Sequence, residues 1–335
     1  MATKDNVTIA DIAQRAGVSA STVSRVLSGT THVAEAKRDA VLNAVTALNY
    51  QPNVFARSLA SGQSMIIGVL TQNFGSPFYD AIMQGVVKGL TGTDYFPIFA
   101  DGQWQAAIEV EAVQAMLRRQ IDGLVVLGGF LGYKEVKQLI GDIPLVMVVN
   151  RANGYEVNSI FIDNVEAAYL ATRHLIELGH RRIGHICGRL DHPDARDRRL
   201  GYLKALEEAG IQPDPELVIE GTFRRQSGVL ALEMLLSRGK SFSALFAAND
   251  QMAFGARLAL YRRGIRVPED VSLVGFDDEP VAAFMIPPLT TMRQPAIELG
   301  LEAARFMLAR LKGETIRPAR LKAELIVRES TAISR

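Results

Sequence analysis

The stretch Thr8-Ile9-Ala10-Asp11-Ile12-Ala13-Gln14-Arg15-Ala16-Gly17-Val18-Ser19, continued by Ala20-Ser21-Thr22-Val23-Ser24-Arg25-Val26-Leu27, decides how the chain begins. Thr8 stands three residues before Asp11, the layout of a capping box. Its hydroxyl can accept a first-turn N–H while the carboxylate reaches back to the positive helix end. The spacing predicts a helix from Ile9, with Ile9, Ile12, Ala13 and Ala16 as its apolar stripe. Gly17 follows where a left-handed residue lets the chain turn sharply. Ser19 then caps a second helix over 20–27, and two short helices joined by a tight glycine-containing turn make a helix-turn-helix. Val18, Val23, Val26 and Leu27 fill the crossing. A third amphipathic helix over 35–48 offers Ala40, Val41, Ala44, Val45 and Leu48 to complete a small core.

The second helix turns Ser21, Thr22, Ser24 and Arg25 outward. Hydroxyls at that place reach phosphates or base edges, and arginine can grip guanine bidentately in a major groove, although the same hydroxyls also cap and solvate a surface helix. Charge does not separate the two readings: residues 1–61 hold six basic against four acidic side chains, and the whole chain is +1. Pro52 ends the third helix and Asn53 can cap another over 54–60, which is too short to persist alone in water. Its Leu59 is either a wedge for a minor groove beside an identical helix or packing for a plain connector.

From Met65 onward the pattern changes. Short apolar strands at 66–70, 97–99, 123–127, 145–149, 159–162, 182–187, 244–248 and 271–276 alternate with amphipathic stretches at 81–90, 106–119, 165–178, 198–209, 228–237 and 251–261. Such alternation means parallel sheets covered on both faces, and it runs too long for one sheet, so two similar lobes follow. Ligands bind beyond the carboxyl ends of parallel strands. Those ends read Gln72-Asn73-Phe74, Asp101, Gly128-Gly129, Asn150-Arg151, Asp163-Asn164, Asn249-Asp250 and Asp277-Asp278. Carboxylates and amides hydrogen-bond sugar hydroxyls, and Phe74, Phe78 and Phe223 can cover a pyranose's apolar face. Asp and Asn also favour turns and caps, which accounts for Asp163 among others.

An enzyme finds little support in the letters. There is no nucleophile elbow, P-loop, metalloprotease helix or full dinucleotide fingerprint, so no catalytic residue, metal or cofactor is expected. The five histidines lack metal-ligand spacing, and Cys187, the only cysteine, ends an apolar strand as packing. A lone cysteine excludes an intramolecular disulfide. No apolar run approaches the roughly 18–20 residues that span a bilayer, and residues 1–7 do not read as a secretion leader. A soluble, cytoplasmic protein without a membrane partner is the expectation.

At this point the chain resembles the lactose-repressor/galactose-repressor (LacI/GalR) family of bacterial regulators over essentially its whole length. The motifs that carry the resemblance are the opening stretch and Leu48-Asn49-Tyr50-Gln51-Pro52-Asn53. With them go the run from His174 to Ile183, Ala248-Asn249-Asp250-Gln251-Met252-Ala253, Val274-Gly275-Phe276-Asp277-Asp278 and Pro288-Leu289-Thr290-Thr291. The resemblance implies an α/β chain with an all-α helix-turn-helix head over 1–52 and a hinge helix and linker over 53–63. The rest, 64–335, is then a two-lobed receptor like periplasmic binding proteins, with two Rossmann-like parallel-sheet subdomains. Its N-lobe is expected at about 64–160 and 290–321 and its C-lobe at about 161–289 and 322–335, with crossings near Ile160, Leu289 and Lys322. It assigns Ala20, Ser21 and Arg25 to base reading, and Thr8, Ser19, Thr22, Ser24, His32, Asn53 and Arg57 to the DNA face around them. Leu59 becomes the minor-groove wedge. Effector contacts are implied at Phe74, Asp101, Asn150, Arg198, Phe223, Asn249 and Asp277, while Gly128 stands near where some relatives use a polar side chain. The function implied is a repressor, homodimeric on a pseudo-palindromic operator and induced by a galactoside- or glucoside-like hexose. The competing expectations are a purine or sugar phosphate acting as corepressor, then a transport receptor, then a nucleotide-dependent enzyme.

Overall fold

A computed structural model describes residues 7–28, 33–50, 63–149 and 158–334. They divide into two compact units, 1–64 and 65–335.

The first unit is three helices: α1 (Ile9–Ala16), α2 (Ala20–Ser28) and α3 (Glu35–Ala47). Ile12, Ala13, Val23, Val41 and Ala44 form its buried core, the residues that the apolar spacing singled out, with Val18, Leu27 and Leu48 packed around them. The capping box forms as its letters require: Thr8 Oγ1 accepts the Asp11 N–H at 3.4 Å, and Asp11 Oδ2 accepts the Thr8 N–H at 2.8 Å. Gly17 closes α1 at φ 64°, a conformation that costs residues with a side chain about 1 kcal/mol or more.

The second unit holds two sheets. One is built from β1 (Ile66–Thr71), β2 (Phe96–Asp101), β3 (Gly123–Leu127), β4 (Leu145–Val148) and β5 (Ser159–Ile160), in the order β2-β1-β3-β4-β5 and parallel throughout. The other is built from β6 (Ile183–Cys187), β7 (Val218–Glu220), β8 (Ala244–Ala247), β9 (Ser272–Asp277), β10 (Thr290–Arg293) and β11 (Glu324–Ile326), in the order β11-β10-β9-β8-β6-β7. Only the edge strand β11 runs antiparallel there. Helices α4 (Pro77–Leu90) and α11 (Ala296–Leu311) cover one face of the first sheet, and α5 (Ala106–Leu117) with α6 (Tyr133–Ile140) the other. The second sheet lies between α7 (Asn164–Glu177) with α8 (Pro193–Glu208) and α9 (Arg225–Ser237) with α10 (Asp250–Arg262).

Three helix pairs touch backbone to backbone through glycine. A Cβ on Gly300 of α11 would lie 2.0 Å from the Ile82 carbonyl of α4, one on Gly255 of α10 2.0 Å from the Arg225 carbonyl, and one on Gly201 of α8 2.2 Å from the Val165 carbonyl. These distances lie far inside van der Waals contact, so the crossings exist because these positions lack a side chain.

Two sequence expectations shift. The chain does not leave the second lobe at Leu289: Thr290–Arg293 pairs with β9 in the register Thr290↔Val274, and the crossing comes after Arg293. The strand's polar letters hide its burial, because Thr291 donates to Asp250 Oδ1 at 2.6 Å and the Thr290 N–H donates to Ser330 Oγ at 2.8 Å. Helix α8 begins five residues earlier than its apolar spacing suggested, with Pro193 in the first turn, where a missing N–H costs nothing.

Candidate functional site

On the first unit, the start of α2 gathers three hydroxyls. Ser19 Oγ accepts the Thr22 N–H at 3.2 Å and lies 2.9 Å from Ser21 Oγ and 2.8 Å from Thr22 Oγ1. Arg25 Nη2 reaches back to Ser21 Oγ at 3.5 Å. Ser19, Ala20, Ser21, Ser24 and Arg25 are exposed and Thr22 half-buried, while Val23 beneath them is in the core. A helix start with exposed hydroxyls and an arginine suits phosphate oxygens and base edges. The two hydrogen bonds from Thr8 hold the Asp11 carboxyl below its ordinary pKa, which keeps it charged at the positive end of α1.

On the second unit, a cavity of about 550 Å³ lies between the lobes. The first lobe contributes Tyr79, Trp104 and Phe130; the second contributes Asp194, Arg198, Phe223, Asn249 and Asp277. The lobes meet at a ring contact: Trp104, from the turn after β2, stands 4.0 Å between centroids from His192, which lies 5.1 Å from Phe223. Trp104 also packs edge-on against Phe130 at 5.7 Å and Tyr79 at 6.1 Å.

The polar floor is on the second lobe. Arg198 is 4% exposed; its Nε donates to Asn164 Oδ1 at 2.9 Å, its Nη1 to the Ala248 carbonyl at 2.6 Å, and its guanidinium lies 3.8 Å over the Phe276 ring. Asn164 Nδ2 donates in turn to Asp194 Oδ1 at 3.1 Å. Asp277 ends β9 at φ 118°, accepts from Gln294 Nε2 at 2.6 Å and stands 4.0 Å from Arg198 Nη1. Asn249 caps α10, accepting the Met252 N–H at 3.0 Å and donating to the Phe223 carbonyl at 3.1 Å, and so fixes the Phe223 turn against the strand end.

Comparison with known proteins gives a family for both parts. Residues 8–53 match the model of bacterial regulatory proteins of the lacI family, and residues 172–331 match a periplasmic binding protein-like domain. The HTH-type transcriptional regulator GalR of Escherichia coli (strain K12) is 37% identical over 303 residues, covering 90% of this chain and 88% of that protein. The HTH-type transcriptional repressor PurR of Haemophilus influenzae (strain PittEE) is 36% identical over 330 residues, covering 96% of this chain and 98% of that protein. Among solved structures, the lac repressor dimer bound to operator and the anti-inducer ONPF superposes with a TM-score of 0.90 at 31% identity, covering 98% of this chain and 100% of that one. The chain belongs to the lacI family of bacterial regulatory proteins. It is a DNA-binding transcriptional repressor of that family and not an enzyme.

For a lacI-family cleft the electrostatics are balanced. Burial pushes the Asp277 carboxyl up to about 6, against the opposing pull of Arg198 and the Gln294 hydrogen bond, and the nearby Asp194 adds to the rise. Burial also lowers the His192 pKa, so the ring that touches Trp104 is neutral at pH 7. Behind the floor, fully buried Asp250 is pushed well above its ordinary pKa by desolvation and then by Asp277; its second oxygen accepts the Glu279 N–H at 2.8 Å. The stretch 277–280, at the end of β9, is thereby tied to α10.

Of the expected effector residues, Arg198, Phe223, Asn249 and Asp277 meet in the cavity. Phe74 and Asp101 do not line it. Phe74 is half exposed and borders a separate surface depression with Met83, Val87 and Phe99, and Asp101 accepts the Phe74 N–H at 3.1 Å and the Gln103 N–H at 2.9 Å, shaping the turn instead. Asn150 and its neighbour Arg151 lie outside the described residues, as do His32, Asn53, Arg57 and Leu59. Gly128 takes φ 67°, and a Cβ there would stand 2.7 Å from Tyr79 Oη and 3.3 Å from the Trp104 ring. Aromatic groups thus fill the space beside it. Sequence reasoning missed Trp104, Phe130, His192 and Asp194 as cleft residues. The signal for the last two was His192-Pro193-Asp194, a helix start whose side chains face the same strand ends.

Proposed function

We propose that this chain represses transcription in the cytoplasm as a homodimer on a pseudo-palindromic operator and releases it when a neutral sugar, a galactoside- or glucoside-like hexose, fills the interlobe cleft. The observation that carries the ligand's class is charge balance. Three arginines (Arg189, Arg198, Arg224) and three aspartates (Asp191, Asp194, Asp277) line the cavity, and the buried Arg198 is already held by Asn164 and a backbone carbonyl. Arg189 pairs with Asp191 through Nε at 3.2 Å. A phosphate would need a surplus of positive charge, whereas hydroxyls are served by ionised carboxylates and guanidinium N–H groups in equal measure.

On the DNA side, Ala20, Ser21 and Arg25 read bases, with Thr8, Ser19, Thr22, Ser24, His32, Asn53 and Arg57 on the surrounding phosphates and Leu59 as a minor-groove wedge. Two heads require two copies. Tyr261, Phe284 and Ile286 on the second lobe are 71%, 84% and 85% exposed, apolar surface that a second copy would cover, and the related lac repressor was solved as a dimer on its operator. Because an isolated helix as short as 54–60 is marginal in water, a ligand that moves one lobe against the other changes whether two such hinges can form together.

The test is an operator selected from random duplexes and then titrated with hexoses in an anisotropy assay. Operator affinity falls as a galactoside or glucoside is added. Tighter binding on addition makes the ligand a corepressor, and a response confined to purines or sugar phosphates removes the neutral sugar. Arg25→Ala weakens operator binding by about 1–3 kcal/mol if it makes a bidentate base contact; unchanged affinity takes it off the reading face.

A further inference from the structure

Resting on the reading that cleft occupancy governs operator binding, we infer that Trp104 and His192 form a latch: their packed rings hold the two lobes in the operator-binding arrangement without ligand, and the effector acts by separating them. The contact bridges the cleft. Trp104 stands on the turn after β2 of the first lobe and His192 at the start of α8 in the second, with ring centroids 4.0 Å apart, and Phe223 extends the row at 5.1 Å. All three rings line the cavity, which stays open beside them, so a ligand can enter while the latch is shut. The lobes are in the arrangement of a relative held on DNA, since the lac repressor dimer bound to operator superposes on 98% of this chain.

Each ring is held in the row at a cost. Gln103 and Trp104 sit at φ 53° and Phe223 at φ 59°, in the left-handed region that side chains disfavour. Buried Gln72 fixes the first turn by accepting the Trp104 N–H at 3.2 Å, and Asn249 fixes the second by donating to the Phe223 carbonyl at 3.1 Å. Gly188 leaves the room that Phe223 fills, because a Cβ there would lie 2.0 Å from the ring. His192 occupies the N-cap of α8, yet among the described residues its side chain makes no capping bond and its buried Nδ1 has no hydrogen-bond partner. Asp194 Oδ2 lies 4.0 Å from that nitrogen, while Asp194 Oδ1 is already taken by Asn164. Strained turns and an unpaired buried nitrogen persist only where other contacts hold them, and here those contacts are between the rings. Once Trp104 withdraws, His192 can turn to Asp194 and gain the bond it lacks. Two packings, each with its own compensation, make a two-state element, and a ligand that favours the separated rings shifts it.

Anisotropy on the full-length protein, with an operator selected from random duplexes and no sugar present, decides the latch. Trp104→Ala and His192→Ala each weaken operator binding about two- to tenfold, the scale of one aromatic pair. The double variant loses no more than either single one, because both break the same contact. Trp104→Phe, which keeps a ring, retains most of the affinity. Calorimetry with methyl galactoside and methyl glucoside then shows the single variants binding sugar more tightly than the wild type, since their lobes no longer have to be unlatched. A damaged fold would weaken both ligands, so opposite movements separate a latch from a pair that only supports the fold. Unchanged operator affinity, additive losses in the double variant, or sugar and operator affinity falling together overturns the latch. If neither sugar alters the operator affinity of the wild type while the operator losses and their non-additivity remain, the sugar reading falls and the latch stands.

Discussion

Asp277 shows how one residue ties the cleft to solution conditions. Its carboxyl ends β9, buried beside Arg198 and Gln294, with a pKa pushed from 3.8 to about 6. Between those values the folded state binds more protons than the unfolded state, so this group's contribution to stability falls as pH rises through that window. Ligand binding has the opposite dependence, because a hydroxyl donates to the ionised form. Sugar affinity measured by calorimetry should therefore drop about tenfold between pH 7 and pH 5, and Asp277→Asn should flatten the profile. His185 is the contrasting case. It lies stacked between Tyr202 and Phe246, its Nδ1 lies 2.9 Å from the Phe246 carbonyl, and complete burial lowers its pKa from 6.5 to about 4. Here the unfolded chain takes up the proton first, so stability is full above 6.5 and is lost as pH falls toward 4, by up to about 3 kcal/mol. Urea unfolding at stepped pH should show this loss, and His185→Gln should remove it.

At the scale of elements, the crossing of α4 and α11 is the sharpest constraint. Alanine is a better helix former than glycine by about 1 kcal/mol, yet a Cβ on Gly300 would press into the Ile82 carbonyl at 2.0 Å and the Gly85 Cα at 2.8 Å. Overpacking of that kind costs about 1–3 kcal/mol or more, so Gly300→Ala should lower the denaturation midpoint despite the propensity gain. The helix-turn-helix was fully legible because its signals are local: a cap, a glycine and a stripe within twelve residues. Strands β1, β3, β6, β8 and β9 were legible as continuous apolar runs. Helix α11, strand β10 and the edge strands β7 and β11 were not. Each depends on a partner distant in sequence: the polar letters of β10 are satisfied by Asp250 and Ser330, and α11 packs on a helix made more than two hundred residues earlier. The cleft divided the same way. Arg198, Phe223, Asn249 and Asp277 followed from strand ends, whereas Trp104 reaches the cavity only through a turn at positive φ that Asp101 and Gln72 hold in place.

For the whole molecule, ligand and operator are coupled through a free energy that works in both directions. If a glycoside weakens operator affinity by a factor of about 5–150, the operator must weaken glycoside affinity by the same factor, equivalent to about 1–3 kcal/mol. Calorimetric titration of the sugar into free and operator-bound protein should return the same factor that the sugar imposes on operator affinity, and equal sugar affinity in the free and bound protein would show that cleft and operator are uncoupled. The interleaving of the lobes has another consequence, for synthesis. The first lobe's sheet is complete at Ile160, but Leu299, Ala303, Phe306 and Met307, which cover one of its faces, lie on α11, behind the whole of β6–β10. At roughly 5–20 residues per second, a ribosome leaves that greasy face partly bare for on the order of ten seconds. The nascent chain must therefore carry an unfinished half while it builds the other, a window in which chaperone capture and aggregation compete for it.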